Sequence, residues 1–191
     1  DRIERAEKTR KNAEMRVTRL VEGSEVIRRL RGRIEMVVWG GTLVDEDMGD
    51  VDMGFMCNNE QIDEIMKSLS GLDVVVESRD ENSITLRVGS TRYDIQLVSV
   101  IAADLRRVAQ VCGVDLGKLS DLEISLKYEA GYRDMQMGVL IGASDMKMVS
   151  MAPVQESLYP LETNPDALTF TKPEAIDKLE AAGEVELAKW V

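Results

Sequence analysis

Two apolar runs joined by a glycine pair and an acidic turn do most to restrict what this chain can fold into. Val37-Val38-Trp39 leads into Gly40-Gly41-Thr42, and after the turn Asp50-Val51-Asp52-Met53-Gly54-Phe55 resumes. Both runs read as hydrophobic strands, the second opening with two carboxylates in a D-x-D arrangement. Side chains alternate along a strand, so Asp50 and Asp52 share a face, about 6–7 Å apart. Two carboxylates that close repel each other unless a cation lies between them or one is protonated. Hard divalent ions take one or two carboxylates and complete their shell with phosphate oxygens and water. A glycine pair lets backbone N–H groups come close to a phosphate, because no Cβ intervenes. The two halves together describe a place for a metal-bound nucleoside triphosphate.

A third element adds to this. Thr91-Arg92-Tyr93-Asp94-Ile95-Gln96-Leu97-Val98 is β-rich and carries a lone carboxylate, Asp94, where alternation expects a core residue. Burying an unpaired carboxylate is costly, so Asp94 calls for a cation or a hydrogen-bond network. Three carboxylates on neighbouring strands beside a glycine turn suit a two-metal phosphoryl-transfer site.

Gly40-Gly41, Asp50-Val51-Asp52-Met53 and Tyr93-Asp94-Ile95 match, in order, the pattern of the polymerase-β-like nucleotidyltransferase superfamily, which this chain resembles over residues 16–100. Eight residues separate Gly41 from Asp50, a short spacer for that family. The resemblance implies an α+β fold, with a small mixed sheet, helices packed on one side and a helical C-terminal region. It implies transfer of a nucleoside monophosphate from an NTP to a hydroxyl, with release of pyrophosphate. Asp50 and Asp52 would hold Mg²⁺ (or Mn²⁺), and Asp94 would ligate the catalytic ion and favour deprotonation of the acceptor. Gly40, Gly41 and Thr42 would seat the β- and γ-phosphates. The Gly-Gly-Thr-Leu turn resembles toxin-type members, whereas Tyr-Asp-Ile-Gln-Leu-Val resembles the tRNA CCA-adding and oligoadenylate-synthetase branch. An RNA 3′ end, a small molecule and a protein side chain all stay open as acceptor. A catalytically degenerate binding or assembly module is the alternative, and a helical interaction protein with a coincidental D-x-D is a third class.

The rest of the chain narrows the chemistry. There is no histidine, which removes Ser-His-Asp and Cys-His catalysis and His-bound zinc, leaving carboxylates as bases and oxygen as metal ligand. Cys57 and Cys112 are isolated and read as reduced structural thiols, so a cytoplasmic location is expected. No apolar run approaches the ~20 residues of a membrane span, and no signal-peptide pattern opens the chain. Eleven methionines are expected to fill gaps in a core with few aromatics. Net charge is −11, yet residues 1–33 hold eleven Lys/Arg against six Asp/Glu. An acidic body disfavours a long nucleic-acid track. The basic run 28–33 could contact RNA locally, although mixed charges spaced i to i+4 also describe a solvated helix face. Arg87, Arg92, Lys118, Lys127 and Arg133 are candidates for triphosphate contact, and Lys127-Tyr128 and Tyr132-Arg133 for stacking on a base. Asp45, Glu46 and Asp47 read as solvated turn residues.

Periodicity divides the chain into a basic helical segment (1–33), a catalytic core (34–100) and a mostly helical region (101–191). Helix is expected to about residue 31, broken at Gly23-Ser24 with Ser24 as cap. Strands are expected at 34–39 and 51–57, then a helix capped by Asn58 or Asn59 and running to Leu69. Residues 73–78, 83–88 and 92–100 read as an antiparallel meander that returns Asp94 beside the D-x-D strand. Helices are expected over 102–111 and 119–128. Residues 134–141 and 146–151 read equally as strand or helix, and 152–170, with three prolines, as a wrapping loop. Thr171-Lys172-Pro173-Glu174 reads as a capping box for one last helix to Lys189.

Overall fold

The computed structural model describes residues 2–43, 49–130, 137–150 and 172–190. The chain forms two units, one of residues 1–100 and 137–150, the other of 101–136 and 151–191. The first is α+β. Its sheet runs in the order β3-β4-β5-β2-β1-β6-β7 among the described residues, from β1 (Met36–Trp39), β2 (Asp50–Phe55), β3 (Val74–Arg79), β4 (Ser83–Val88), β5 (Thr91–Leu97), β6 (Met137–Ile141) and β7 (Met146–Ser150). Every described pairing is antiparallel except β2 with β5, so the sheet is mixed. The two segments left open between strand and helix are β6 and β7. They extend the sheet beyond β1, within a region whose periodicity reads as mostly helical.

Helices α1 (Arg2–Gly23), α2 (Glu25–Leu30) and α3 (Asn59–Lys67) contribute to the core of this unit. In α1, Ala13, Val17, Leu20 and Val21 make the buried stripe that a 3.6-residue period dictates. Ser24 ends that helix and caps the next, accepting the Ile27 N–H at 3.2 Å. Its hydroxyl also lies 2.8 Å from the Tyr93 hydroxyl, a buried hydrogen bond between the helix layer and β5. Asn58 caps α3 in a full capping box with Gln61. Ile27, Leu30, Met36, Met53, Phe55, Ile62 and Ile95, all 1% exposed or less, lie in the same core. Burial alternates along β2: Asp50 is exposed, Val51 buried, Asp52 half-buried, Met53 buried. The odd-numbered residues enter the core, and the even-numbered ones stand on the opposite face.

Beyond shifts of one or two residues at element ends, two assignments differ from expectation. The strand at 92–100 stops at Leu97, and Val98 opens α4 (Val98–Cys112). Val-Ser-Val-Ile has local β propensity, but Val98, Ile101, Ala102 and Leu105 recur at helical spacing and are all buried, and burial wins over propensity. The last helix is two, α6 (Lys172–Ala181) and α7 (Val185–Trp190), parted at Gly183 with φ +80°. That backbone region is open to glycine and ends a helix in the usual way. Thr171 and the loop at 152–170 lie outside the described residues.

The second unit is helical where described, with α5 (Asp121–Ala130) joining α4, α6 and α7. Ile101, Ala102, Leu105, Ala109 and Ile124 form one buried cluster, and Val108, Cys112, Ala175, Leu179 and Ala188 a second. Arg106 pairs with Asp121 at 3.1 Å and Arg107 with Glu184 at 2.6 Å. No described helix is long and apolar enough to cross a membrane.

Both cysteines are free and buried. Burial pushes the Cys57 thiol up to about 11 from the ordinary 9.0. The unfolded chain therefore loses this proton first, so stability is full below pH 9 and falls as pH rises toward 11, by on the order of 2–3 kcal/mol. Urea midpoints at pH 8 and pH 10.5 should separate more for the wild type than for Cys57→Ala. Equal separations would show that Cys57 is not desolvated.

Candidate active site

β1 and β2 are antiparallel, with register Met36↔Phe55, Val37↔Gly54 and Val38↔Met53. The ladder ends there because the chain turns at Gly40, with φ +64°, into a single 3-10 turn, Gly40–Leu43. A Cβ on Gly40 would lie 3.3 Å from Asp52 Oδ2, so glycine serves both the backbone angle and the close approach. Past the ladder's end, the Asp52 N–H is taken by the Thr42 hydroxyl at 2.6 Å. Thr42 is only 2% exposed, so its side chain ties the turn to the D-x-D strand.

On the other side of β2 lies β5, in parallel register: Asp50↔Arg92, Asp52↔Asp94, Gly54↔Gln96. Neighbouring strands are about 4.8 Å apart, which makes Asp52 and Asp94 lateral neighbours on one face. The meander expected from turn chemistry is present, and it places Asp94 beside the D-x-D pair. Asp50, Asp52, Asp94 and the glycine turn are thus gathered at one end of β2. The spacer residues Asp45, Glu46 and Asp47 lie outside the described residues, as do the side chains of Lys127, Tyr128, Tyr132 and Arg133.

Asp94 finds its compensation within the protein. Arg92 Nε is 3.3 Å from Asp94 Oδ1, and the Thr85 hydroxyl donates to the same oxygen at 3.3 Å. Arg92 Nε is also 3.7 Å from Glu77 Oε2, and Arg87 Nε donates to Glu77 Oε1. A chain of alternating charge, Arg87–Glu77–Arg92–Asp94, therefore crosses β3, β4 and β5 on the face that bears the D-x-D pair. Arg92 Nε is buried and hydrogen-bonds to none of these neighbours, although they lie within ion-pair range. Glu77 alternates with Val75, the partner of Arg87, and so stands on the face of the array, at the point where the β3–β4 register shifts between Val76 and Ser78. Sequence reading missed Glu77, since the register of β3 on β4, which sets its arginine partners, is not written in Val-Val-Val-Glu-Ser-Arg.

Among the described residues no three carboxylate or thiol groups converge as a preformed cation site. The donor set nevertheless fits a hard cation in kind: all-oxygen, anionic, with two carboxylates side by side and a third two residues along. Asp94 would have to give up its pair with Arg92 to join that set.

Three of the four arginines in the run 28–33 hold contacts within the fold. Arg28 and Arg29 pair with Glu25 at 2.5 and 3.4 Å. Arg29 also donates to the Ser70 carbonyl at 2.5 Å. Arg31 donates to the carbonyls of Gly142 and Asp145 at 2.9 and 3.2 Å, clasping the β6–β7 turn.

No family model matches the sequence, and no curated protein matches it. Among solved structures, a chain from the complex of a CCA-adding enzyme with CTP is similar, with a TM-score of 0.43 and 19% sequence identity. The similarity covers 74% of this chain and 32% of that one, so the present chain spans about a third of its length. A likeness of that size assigns no family, and the meaning of the site rests on its own geometry.

Proposed function

We propose that this protein transfers a nucleoside monophosphate from an NTP to a hydroxyl acceptor, releasing pyrophosphate. The observation that carries the reading is the register Asp52↔Asp94 beside a turn whose Gly40 packs directly against Asp52. Gly40, Gly41 and Thr42 seat the β- and γ-phosphates through the main chain, with Thr42 fixing the turn to Asp52. Asp50, Asp52 and Asp94 would hold Mg²⁺, or Mn²⁺, which would supply positive charge to the triphosphate and the acceptor oxygen. The acceptor oxygen bonds to the α-phosphorus as the bond from phosphorus to the bridging oxygen breaks. Pyrophosphate leaves with that electron pair, and the acceptor proton passes to a carboxylate, the role assigned to Asp94. Arg92 holds Asp94 in place before substrates arrive.

A second reading is a nucleotide-binding module that has lost catalysis, favoured by the Arg92–Asp94 pair that occupies the third carboxylate. Calorimetric titration of each NTP with and without Mg²⁺, followed by incubation with labelled NTP and total RNA, separates the two. Metal-dependent binding with label incorporated is expected. Binding without incorporation into RNA, a small-molecule fraction or protein would select the module, and no NTP binding would end both.

A further inference from the structure

We infer that the first half of α1 docks in an acidic groove beside α3 of a second copy of this chain, so that two copies associate by exchanging basic arms.

The groove has a volume of about 580 Å³ and lies between α3 and the segments that precede β1 and follow β2. Its apolar lining is Ile34, Met56 and Ile65, each buried or half-buried. Its charged lining is Glu35, Glu60 and Glu64 against Arg33, all exposed, so carboxylates dominate it. Glu64 pairs with Lys67 at 2.8 Å. Glu35 and Glu60 have no ion-pair partner among the described residues. An apolar floor under unpaired carboxylates suits a basic side chain, whose aliphatic stem and charged head are satisfied separately.

The first half of α1 supplies such side chains. α1 is one continuous helix from Arg2 to Gly23. Its first buried residue among the described side chains is Ala13, while Glu4, Glu7, Lys8, Arg10, Lys11 and Asn12 are exposed. Residues 2–12 therefore form an arm about 16 Å long. They hold five Lys/Arg and two Glu, net +3, which leaves −14 for the rest of a chain of net charge −11. Two bodies that acidic repel each other, and a basic arm is what can bring one to the other. Lys8 and Lys11 sit three residues apart, hence on one helix face. Neither has an ion-pair partner among the described residues.

The arm cannot serve its own groove. α1 packs against the glycine turn that follows Trp39. The groove borders Glu35 and Met56, next to the Met36↔Phe55 pair at the other end of the ladder. A helix without a break does not fold back over that distance. A two-fold axis lets each copy give its arm and receive the other's, which closes the assembly at two.

Sedimentation equilibrium tests this. The wild type should be dimeric at low salt and shift toward monomer as salt rises. Lys8→Glu with Lys11→Glu, and separately Glu35→Lys with Glu60→Lys, should each weaken association about tenfold or more, since like charges then meet. Mixed one to one, the two variants should form a heterodimer of about wild-type affinity, because each arm again faces a groove of opposite charge. That rescue also shows that both variants fold. A monomeric wild type overturns the inference. So does a dimer whose dissociation constant neither variant changes, because another face then joins the copies. Loss of the dimer in both variants with no heterodimer on mixing overturns it as well.

Discussion

Asp52→Asn is expected to lower nucleotidyl transfer by about a thousandfold or more and to leave the fold standing. Asp52 is half-buried, beside Asp94 in register and against Gly40 in the turn, so it lies where the two halves of the site meet. Asparagine keeps the shape of the side chain and removes the anionic oxygen. Transition-state stabilisation by a correctly ligated metal amounts to several kcal/mol, and about 4 kcal/mol corresponds to a thousandfold in rate. Folding has less at stake. The Thr42 hydroxyl binds the Asp52 backbone, which the substitution keeps, and the crowding of Asp50, Asp52 and Asp94 is relieved. Initial rates of label incorporation and urea midpoints on the same preparations test both halves. Full activity in the variant, or a large loss of stability, would make the carboxylate a structural group.

Gly54→Ala should damage the protein in the opposite way, through the fold. A Cβ there would come within 2.8 Å of Trp39 Cη2, 2.8 Å of Val98 Cγ2 and 2.9 Å of Val37 Cγ1. Trp39, Val37 and Val98 are themselves 2% exposed or less. None of these atoms ends a flexible chain, and a packed interior has no void to receive the methyl. Overpacking of this kind costs about 1–3 kcal/mol, and three simultaneous contacts place Gly54 at the upper end. Strand β2 must move to accommodate it, carrying Asp52 along. Only Trp39 and Trp190 are tryptophans. In a Trp190→Phe background, urea unfolding followed by fluorescence therefore reports the unit that holds Gly54. A midpoint within error of the parent would mean that the packing around Trp39 yields freely.

The placement of the three candidate aspartates was legible because their signal is local. D-x-D on a strand puts two carboxylates on one face whatever else the chain does, and Gly40-Gly41 marks a turn by itself. Asp94 needed one step more, namely that turns at 80–82 and 89–90 make a meander, and hydrophobic alternation carried that step. What pairs with Asp94 was not legible. Arg92 is two residues away on the same face and could have been named, but Glu77 comes from β3, two strands from β5, and its partners depend on the β3–β4 register. Gly54 could have been found, since a glycine inside a strand signals a close approach. The start of α4 and the break at Gly183 were hidden for different reasons. At Val98 tertiary burial overrides a β-branched run, and at Gly183 a lone glycine near a chain end is a weak breaker. The strands β6 and β7 are short and moderately apolar, and only the open side of β1 decides in favour of strand.

That open side of β1 has a consequence for the nascent chain. Synthesis delivers β1 to β5 in order, and by residue 100 all five can pair. The sixth strand, which completes β1 along Met36–Trp39, is made only after residues 101–136. At about 5–20 residues per second, that interval lasts roughly 2–7 s. Throughout it, β1 presents unpaired backbone groups alongside Met36, Val37, Val38 and Trp39, every one of which is buried in the finished protein. An edge of that kind invites foreign strands. The order in which the chain is written thus exposes the inside of the sheet to the cell before its last strands can cover it.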